Sequence, residues 1–330
     1  MARNRYYQGP PSDHFDGTRF FNPGMPSGDR GLPDVLRWKI NERPAAWPQS
    51  VPVTQTVPEP RVHGLCVTAV GHATLLIQAA GINLLTDPVW SERASPFSFA
   101  GPKRVTAPGI AFDALPPIDA VLLSHNHYDH LDMATLRRLH ARDEPLMVMP
   151  LGNDTIVRKG VPGANTVAGD WGERIALPGG AVTTLVPANH WSARGTGDRR
   201  MALWAGHWID TPAGSVYFAG DSGWCGGDIF RDIAAAHGSP DVALLPIGAY
   251  APRWFMAPQH ADPDEAVAMF EVLGARHALG IHWGTFQLTD EAREEPVMRL
   301  AAALDARGIA PERFIAATPG ETYSFAPVMA

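Results

Sequence analysis

The chain alternates short apolar runs with turn-rich polar stretches, and the period of the runs changes along it. Residues 1–60 carry no sustained period; only 33–40 (PDVLRWKI) spaces its apolar side chains as a helix does. Trp38, Trp47 and Phe20 would be badly placed in open solvent, so this stretch reads as an extended arm (1–60) packed on a body (61–330). The body opens with alternation over 61–70 and strand patterns at 74–79 and 82–86, joined by a turn tight enough for a hairpin. Residues 118–124 form a continuous apolar run, as in a strand buried on both faces. Further strand patterns fall at 146–150, 181–188, 201–209, 215–219, 242–247 and 278–282, and helical ones at 133–141, 262–273 and 290–307. The helix at 262–273 carries its own boundaries: Asp262 as N-cap, Pro263 in the first turn and Gly274 as the stop. The pattern is that of a strand-rich α/β body whose chemically active residues fall just after strands.

Composition narrows the class. With 27 Lys and Arg against 34 Asp and Glu, a net charge of −7 and no basic cluster, nucleic acid is not an expected partner. No stretch reaches the ~20 apolar residues of a membrane span. The first residues lack an apolar secretory segment, and Cys66 and Cys225 are too few for a disulfide framework. A cytoplasmic protein is expected. Thirteen histidines against two cysteines direct any transition-metal site to imidazole and carboxylate ligands.

The densest chemistry is His125-Asn126-His127-Tyr128-Asp129-His130, directly after the buried run. A bend there lets His125 and His127 face one metal while Asp129 and His130 face a neighbour, and such N and O donors suit Zn²⁺. Further ligands are expected from other strand ends: His190 in VPANHW, Asp221 in VYFAGDSGW and His282 in LGIHWGTF. A lone carboxylate behind an apolar strand, as at Asp221, is costly unless cations neutralise it.

The motif His125-x-His127-x-Asp129-His130 with His190, Asp221 and His282 resembles that of the metallo-β-lactamase superfamily. Within it, VGHATLLIQ (70–78), LTDPVWSERASPFSFAGPKR (85–104), LPPIDAVLLSHNHYDHLD (115–132), YFAGDSGWC (217–225) and LLPIGAYAPRWFM (244–256) are similar to the branch of N-acyl-phosphatidylethanolamine-hydrolysing phospholipases D. The resemblance runs from about Phe20 to Tyr323. It implies a four-layer αββα sandwich with two zinc ions at one edge, one held by His125, His127 and His190, the other by Asp129, His130 and His282, with Asp221 bridging. It also implies catalytic roles for Asp221, for Asp87 in LTDP as the residue orienting a ligand histidine, and for His260 in APQHADP, stabilising charge or assisting proton transfer. His72 in VGHAT is either close to the metals or a buried, hydrogen-bonded residue, and Cys225 reads as a buried thiol.

On the substrate side, Lys103, Arg104, Arg194 and Arg253 are candidate phosphate or headgroup partners. Trp90, Phe97, Phe99, Trp191, Trp254, Phe255 and Met256 are loop apolar groups suited to a membrane surface or to packing under the arm. The expected function is dinuclear zinc hydrolysis of a phosphodiester by a metal-bound hydroxide: phospholipase D-type cleavage of N-acyl-phosphatidylethanolamine to N-acylethanolamine and phosphatidate. The alternative is a zinc hydrolase of the same fold acting on a soluble ester, lactone or cyclic phosphodiester. A phospholipid or other phosphodiester substrate and peripheral membrane contact follow from the first reading, and a homodimer is implied by the resemblance alone.

Overall fold

Two seven-stranded mixed sheets lie face to face with helices on their outer sides, the αββα sandwich expected. The computed structural model describes residues 3–25 and 30–326; residues 1, 2 and 26–29, within the stretch read as an arm, and 327–330 lie outside the described residues. The first sheet contains β1 (Leu65–Gly71), β2 (Thr74–Ala79), β3 (Ile82–Thr86), β4 (Ala120–Leu122), β5 (Leu146–Pro150) and β6 (Thr166–Gly169). The second contains β7 (Arg174–Ala176), β8 (Val182–Val186), β9 (Gly206–Thr211), β10 (Gly214–Phe218), β11 (Val242–Pro246), β12 (His277–Ile281) and β13 (Phe314–Ala316). A last strand, β14 (Thr322–Phe325), returns to the first sheet and pairs antiparallel with β1.

Local chemistry explains the elements. β2 and β3 are joined by Ala80 and Gly81, both at positive φ (50° and 81°), the two-residue turn whose twist matches that of the strands. The helices are α1 (Leu32–Asn41), α2 (Met133–Asp143), α3 (Asn153–Gly160), α4 (Asp228–His237), α5 (Arg253–Met256), α6 (Pro263–Leu273) and α7 (Glu295–Ala306). In α6 the Asp262 carboxylate accepts from the Glu265 amide while Glu265 accepts from the Asp262 amide, and Gly274 ends the helix at φ 61°. Between the sheets, Val67, Leu75, Ile77, Leu84 and Leu122 meet Ile209, Phe218, Leu244, Leu279 and Ile281. Leu136 and Leu139 of α2 pack on the outer face of the first sheet, and Val267, Phe270 and Leu304 from α6 and α7 on that of the second.

The structure moves several element boundaries: the strand read at 61–70 begins at Leu65, and two further shifts have a visible cause. The strand read at 201–209 begins only at Gly206, because the amides of Leu203 and Ala205 are taken by the carbonyls of Leu151 and Ser124. The helix read from 290 starts at Glu295, since the Glu291 carboxylate turns back to accept from the amides of Ala249 and Ala251. Helices α3, α4 and α5 and strands β6, β7, β13 and β14 were not anticipated; most are short, and β7 and β14 are half exposed.

Candidate metal centre

Strands of both sheets end at one edge of the sandwich, where the carboxyl ends of the strands leave a crevice. Asp87 follows β3, residues 124–130 follow β4, His190 lies beyond β8, Asp221 follows β10 and His282 follows β12. Non-glycine residues at this edge hold positive φ, among them His72 at 57°, Asp87 at 32° and His282 at 63°. Such strain persists where the surroundings over-determine it, typically at functional sites.

The seven residues offered by the sequence meet here in two groups. His125, His127 and His190 converge, with His127 Nδ1 2.8 Å from His125 Nε2 and 3.2 Å from His190 Nε2. Asp129, His130 and His282 converge with His72: Asp129 Oδ2 lies 3.5 Å from His130 Nε2, 3.4 Å from His282 Nε2 and 3.0 Å from His72 Nε2. Asp221 stands between the groups. Its Oδ2 is 3.9 Å from His125 Nε2, 3.7 Å from His190 Nε2 and 3.1 Å from His130 Nε2, and its Oδ1 is 3.2 Å from His282 Nε2.

Hydrogen-bond accounting shows that this donor set fits a cation. His125 Nδ1 is 2.9 Å from Ser124 Oγ, whose proton goes to Asp87 Oδ2, and His190 Nδ1 donates to the Gln259 carbonyl. His130 Nδ1 donates to Asp87 Oδ2 at 2.7 Å. Each of these rings therefore has one nitrogen tied to the protein and turns the other inward, the arrangement that orients metal-ligating histidines. His127 Nε2, His130 Nε2, His282 Nε2 and Asp221 Oδ1 are buried without a hydrogen-bond partner. So many orphaned atoms in one place would be a large desolvation penalty without an ion to satisfy them.

Electrostatics divide the groups. Burial holds His125 well below the ordinary histidine value and His127 and His190 down to about 3 and 4, assisted in each case by neighbouring imidazoles. These rings stay neutral, as ligation requires. Burial also depresses His130 and His282, yet the carboxylates of Asp221 and Asp129 outweigh it, raising His130 well above its usual range and His282 to about 9. In turn burial raises Asp221 and Asp129, but the facing His130 and His282 hold both carboxyls well below the usual range.

The remaining candidates fall into place around this centre. Asp87 is fully buried and accepts from the Ser124 amide and hydroxyl and from His130, so it fixes that ring. His260 turns Nδ1, unpartnered and buried, toward Asp221 Oδ2 at 3.9 Å. Cys225 Sγ donates to the Pro258 carbonyl at 3.4 Å, and burial pushes its thiol up to about 11. Ser124 and the Gln259 carbonyl were not anticipated. Ser124 had a signal, a small polar residue at the strand end beside His125; Gln259 had none, because its partner His190 is 69 residues away.

Three cations offered for phosphate are engaged otherwise. Arg194 donates through Nη1 to the carbonyls of Asn126 and Leu131 at 2.9 and 2.8 Å and lies 4.0 Å over the Tyr128 ring, fastening the ligand loop at both ends. Arg104 donates to the carbonyls of Val89, Ser91 and Thr106, and Arg253 to the His260 carbonyl and the Glu265 carboxylate. A guanidinium carries five donors in a fixed fork, so a loop can consume it entirely. Lys103 is exposed. Of the apolar residues read as loop, Phe255 and Met256 lie in α5 and are buried against Trp38, Trp90 caps Phe112 edge-on, and the Trp191 ring stands 4.5 Å from that of His127. Phe97 and Phe99 remain 54% and 79% exposed with rings 5.5 Å apart.

Known proteins place this geometry. The family model described as "Beta-lactamase superfamily domain" matches residues 82–283. The chain is 40% identical over 253 residues, 74% of its length and 71% of the relative's, to N-acyl-phosphatidylethanolamine-hydrolyzing phospholipase D 1 of Caenorhabditis elegans. It is 31% identical to a UPF0173 metal-dependent hydrolase of Pyrobaculum calidifontis, over 72% of this chain and 92% of that one. In fold it is similar to isothiocyanate hydrolase from Delia radicum gut bacteria, with a TM-score of 0.62 and 18% identity over 79% of this chain and 99% of that one.

Proposed function

Because the chain belongs to the metallo-β-lactamase superfamily and is a metal-dependent hydrolase of it, we propose that it is a dinuclear zinc phosphodiesterase of the phospholipase D type. Its substrate is an N-acyl-phosphatidylethanolamine-like lipid, cleaved to phosphatidate and the N-acylethanolamine. The observation that carries the dinuclear reading is Asp221, whose Oδ2 lies within 3.1–3.9 Å of ring nitrogens from both histidine groups. A single ion would leave the unpartnered ring nitrogens of one group unsatisfied. The activity named for the Caenorhabditis relative supports the substrate class.

His125, His127 and His190 would hold one ion, Asp129, His130 and His282 the other, and Asp221 both. Imidazole and carboxylate donors without thiolate suit zinc. When bound, the two ions supply Lewis acidity to a phosphodiester and a lowered pKa to water. The chain's own residues do the rest. Asp87 keeps the proton of His130 on Nδ1 and so its lone pair on Nε2, Ser124 does the same for His125, and His260 offers Nδ1 to a proton moving at the same edge. A cavity of about 440 Å³ opens beside residues 125–130, and its wall mixes apolar Phe97, Leu131 and Met133 with polar Glu92, Arg93 and Asp132, which suits an amphipathic substrate. No described helix is long and apolar enough to cross a membrane, so the enzyme would meet lipid peripherally, with Phe97 and Phe99 entering the interface.

Release of N-acylethanolamine from micellar substrate, followed by chromatography, tests the reading. Activity is expected to vanish with chelator, return with zinc, and be lost in Asp221→Asn and His282→Ala. Undiminished lipid turnover in either variant refutes the mechanism. Turnover of soluble esters, lactones or cyclic phosphodiesters alone moves the substrate to the second reading.

A further inference from the structure

We propose that His72 is a positioning residue for the Asp129–His130–His282 half of the centre: its Nε2–H holds the Asp129 carboxylate in the orientation a cation requires. The inference rests on the two-cation reading above.

The contact has one chemical sense. Asp129 Oδ2, 3.0 Å from His72 Nε2, accepts only, so the proton sits on that nitrogen and removes it from the ligands. His72 Nδ1 is buried with no partner, so Asp129 is the only hydrogen-bond tether of the ring among the described residues. Oδ2 is also the oxygen nearest His130 Nε2 and His282 Nε2. It has two lone pairs, and donation from His72 occupies one and aims the other between those rings. A carboxylate ligand left untethered rotates freely about its terminal bond, and losing such a support typically weakens metal binding ~10–100-fold.

The backbone fixes the donor as firmly as the side chain fixes the acceptor. His72 sits in the turn between β1 and β2 at φ 57°. Its amide donates to Thr285 Oγ1 at 3.0 Å, and its carbonyl accepts from the His282 amide at 3.0 Å. Its ring lies 3.9 Å from the His282 ring, with Phe286 edge-on at 5.3 Å. The turn of one sheet is thereby tied to the strand end of the other that carries His282, and a left-handed non-glycine residue persists where its surroundings demand it.

The test is zinc stoichiometry of the full chain, measured by elemental analysis after equilibration with graded chelator, with thermal unfolding as the folding control. His72→Phe, which keeps the ring and removes the donor, is expected to lose one of two zinc equivalents at ~10–100-fold lower chelator than wild type. His72→Gln, whose side-chain amide presents a donor at similar reach, should stay close to the wild-type curve. Retention of both equivalents by His72→Phe, joint loss of both, or a glutamine variant no better than phenylalanine overturns the inference alone. If His72→Phe does not fold, Thr285→Val removes the hold on the His72 amide and should shift the same equivalent in the same direction; an unmoved curve overturns the proposal. A wild-type chain that holds a single equivalent overturns the two-cation reading and this inference together.

Discussion

Replacing Arg194 by Met separates two roles that the residue type alone does not distinguish. If the guanidinium bound phosphate, its loss would raise KM and leave the fold alone. In the structure it instead spans the ligand loop, donating to the carbonyls of Asn126 and Leu131 while its own carbonyl accepts from Tyr128 Oη at 2.9 Å. Each hydrogen bond from a charged donor contributes about 1.5–3 kcal/mol, and the contact with Tyr128 roughly 0.5–1 kcal/mol more. Burial already pulls the Arg194 pKa below its ordinary value, so relief of its desolvation offsets part of the loss. A net cost of about 3 kcal/mol is the outcome of these opposing effects. Unfolding entropy of ~2.1 cal/mol/K per residue, taken over 330 residues, converts this to a fall in Tm of about 4 °C. Because Asn126 and Leu131 bracket His127, Asp129 and His130, zinc retention should fall together with Tm. Calorimetry on zinc-loaded and chelator-treated protein, with kcat and KM on the same preparations, gives the answer. An unchanged Tm and zinc content with a raised KM refutes the clamp and restores the phosphate role.

Three further outcomes follow from named contacts. Asp87→Asn puts an amide where His130 Nδ1 donates, which turns that ring's proton toward the cluster; zinc affinity should drop ~10–100-fold in a chelator titration, with the fold retained. His207 is buried, donates to the Leu123 carbonyl, and burial holds its pKa down to about 4. Its unfolded value is near 6.5, so its stabilisation is complete above that pH and is lost as pH falls from about 6.5 to 4, by about 3 kcal/mol. Urea unfolding of chelator-treated His207→Gln should therefore show a pH dependence smaller by about that amount over this window, and an identical slope would exclude the assignment. Phe97→Ser with Phe99→Ser should leave Tm unchanged, since both rings are exposed, yet weaken sedimentation with phospholipid vesicles; equal sedimentation counts against entry of this loop into the interface.

What was legible in the sequence was local. The hairpin of β2 and β3, the caps of α6 and the bend carrying residues 125–130 depend on residues within a few positions of each other, so spacing and residue type are sufficient to read them. The ends of β10 and β12 could be read too, because Asp221 and His282 are polar groups directly behind apolar runs, where an uncompensated group is costly. The start of α7 could not be read. Glu291 has good helix propensity but serves the amides of Ala249 and Ala251, 42 and 40 positions away along the chain.

By itself, then, the sequence determined the α/β class, the candidate ligand types and their placement behind strands, since those follow from hydrophobic period and side-chain chemistry. Only the tertiary structure decided which atoms face each other. It closed the first sheet with β14, where Thr322 meets Thr68 across 254 positions. It turned Arg104, Arg194 and Arg253 onto loop groups, and it set His72 against Asp129. The physical reason is the same throughout. A side chain's charge and donor count are intrinsic, whereas its partner is whatever long-range packing brings within 3 Å.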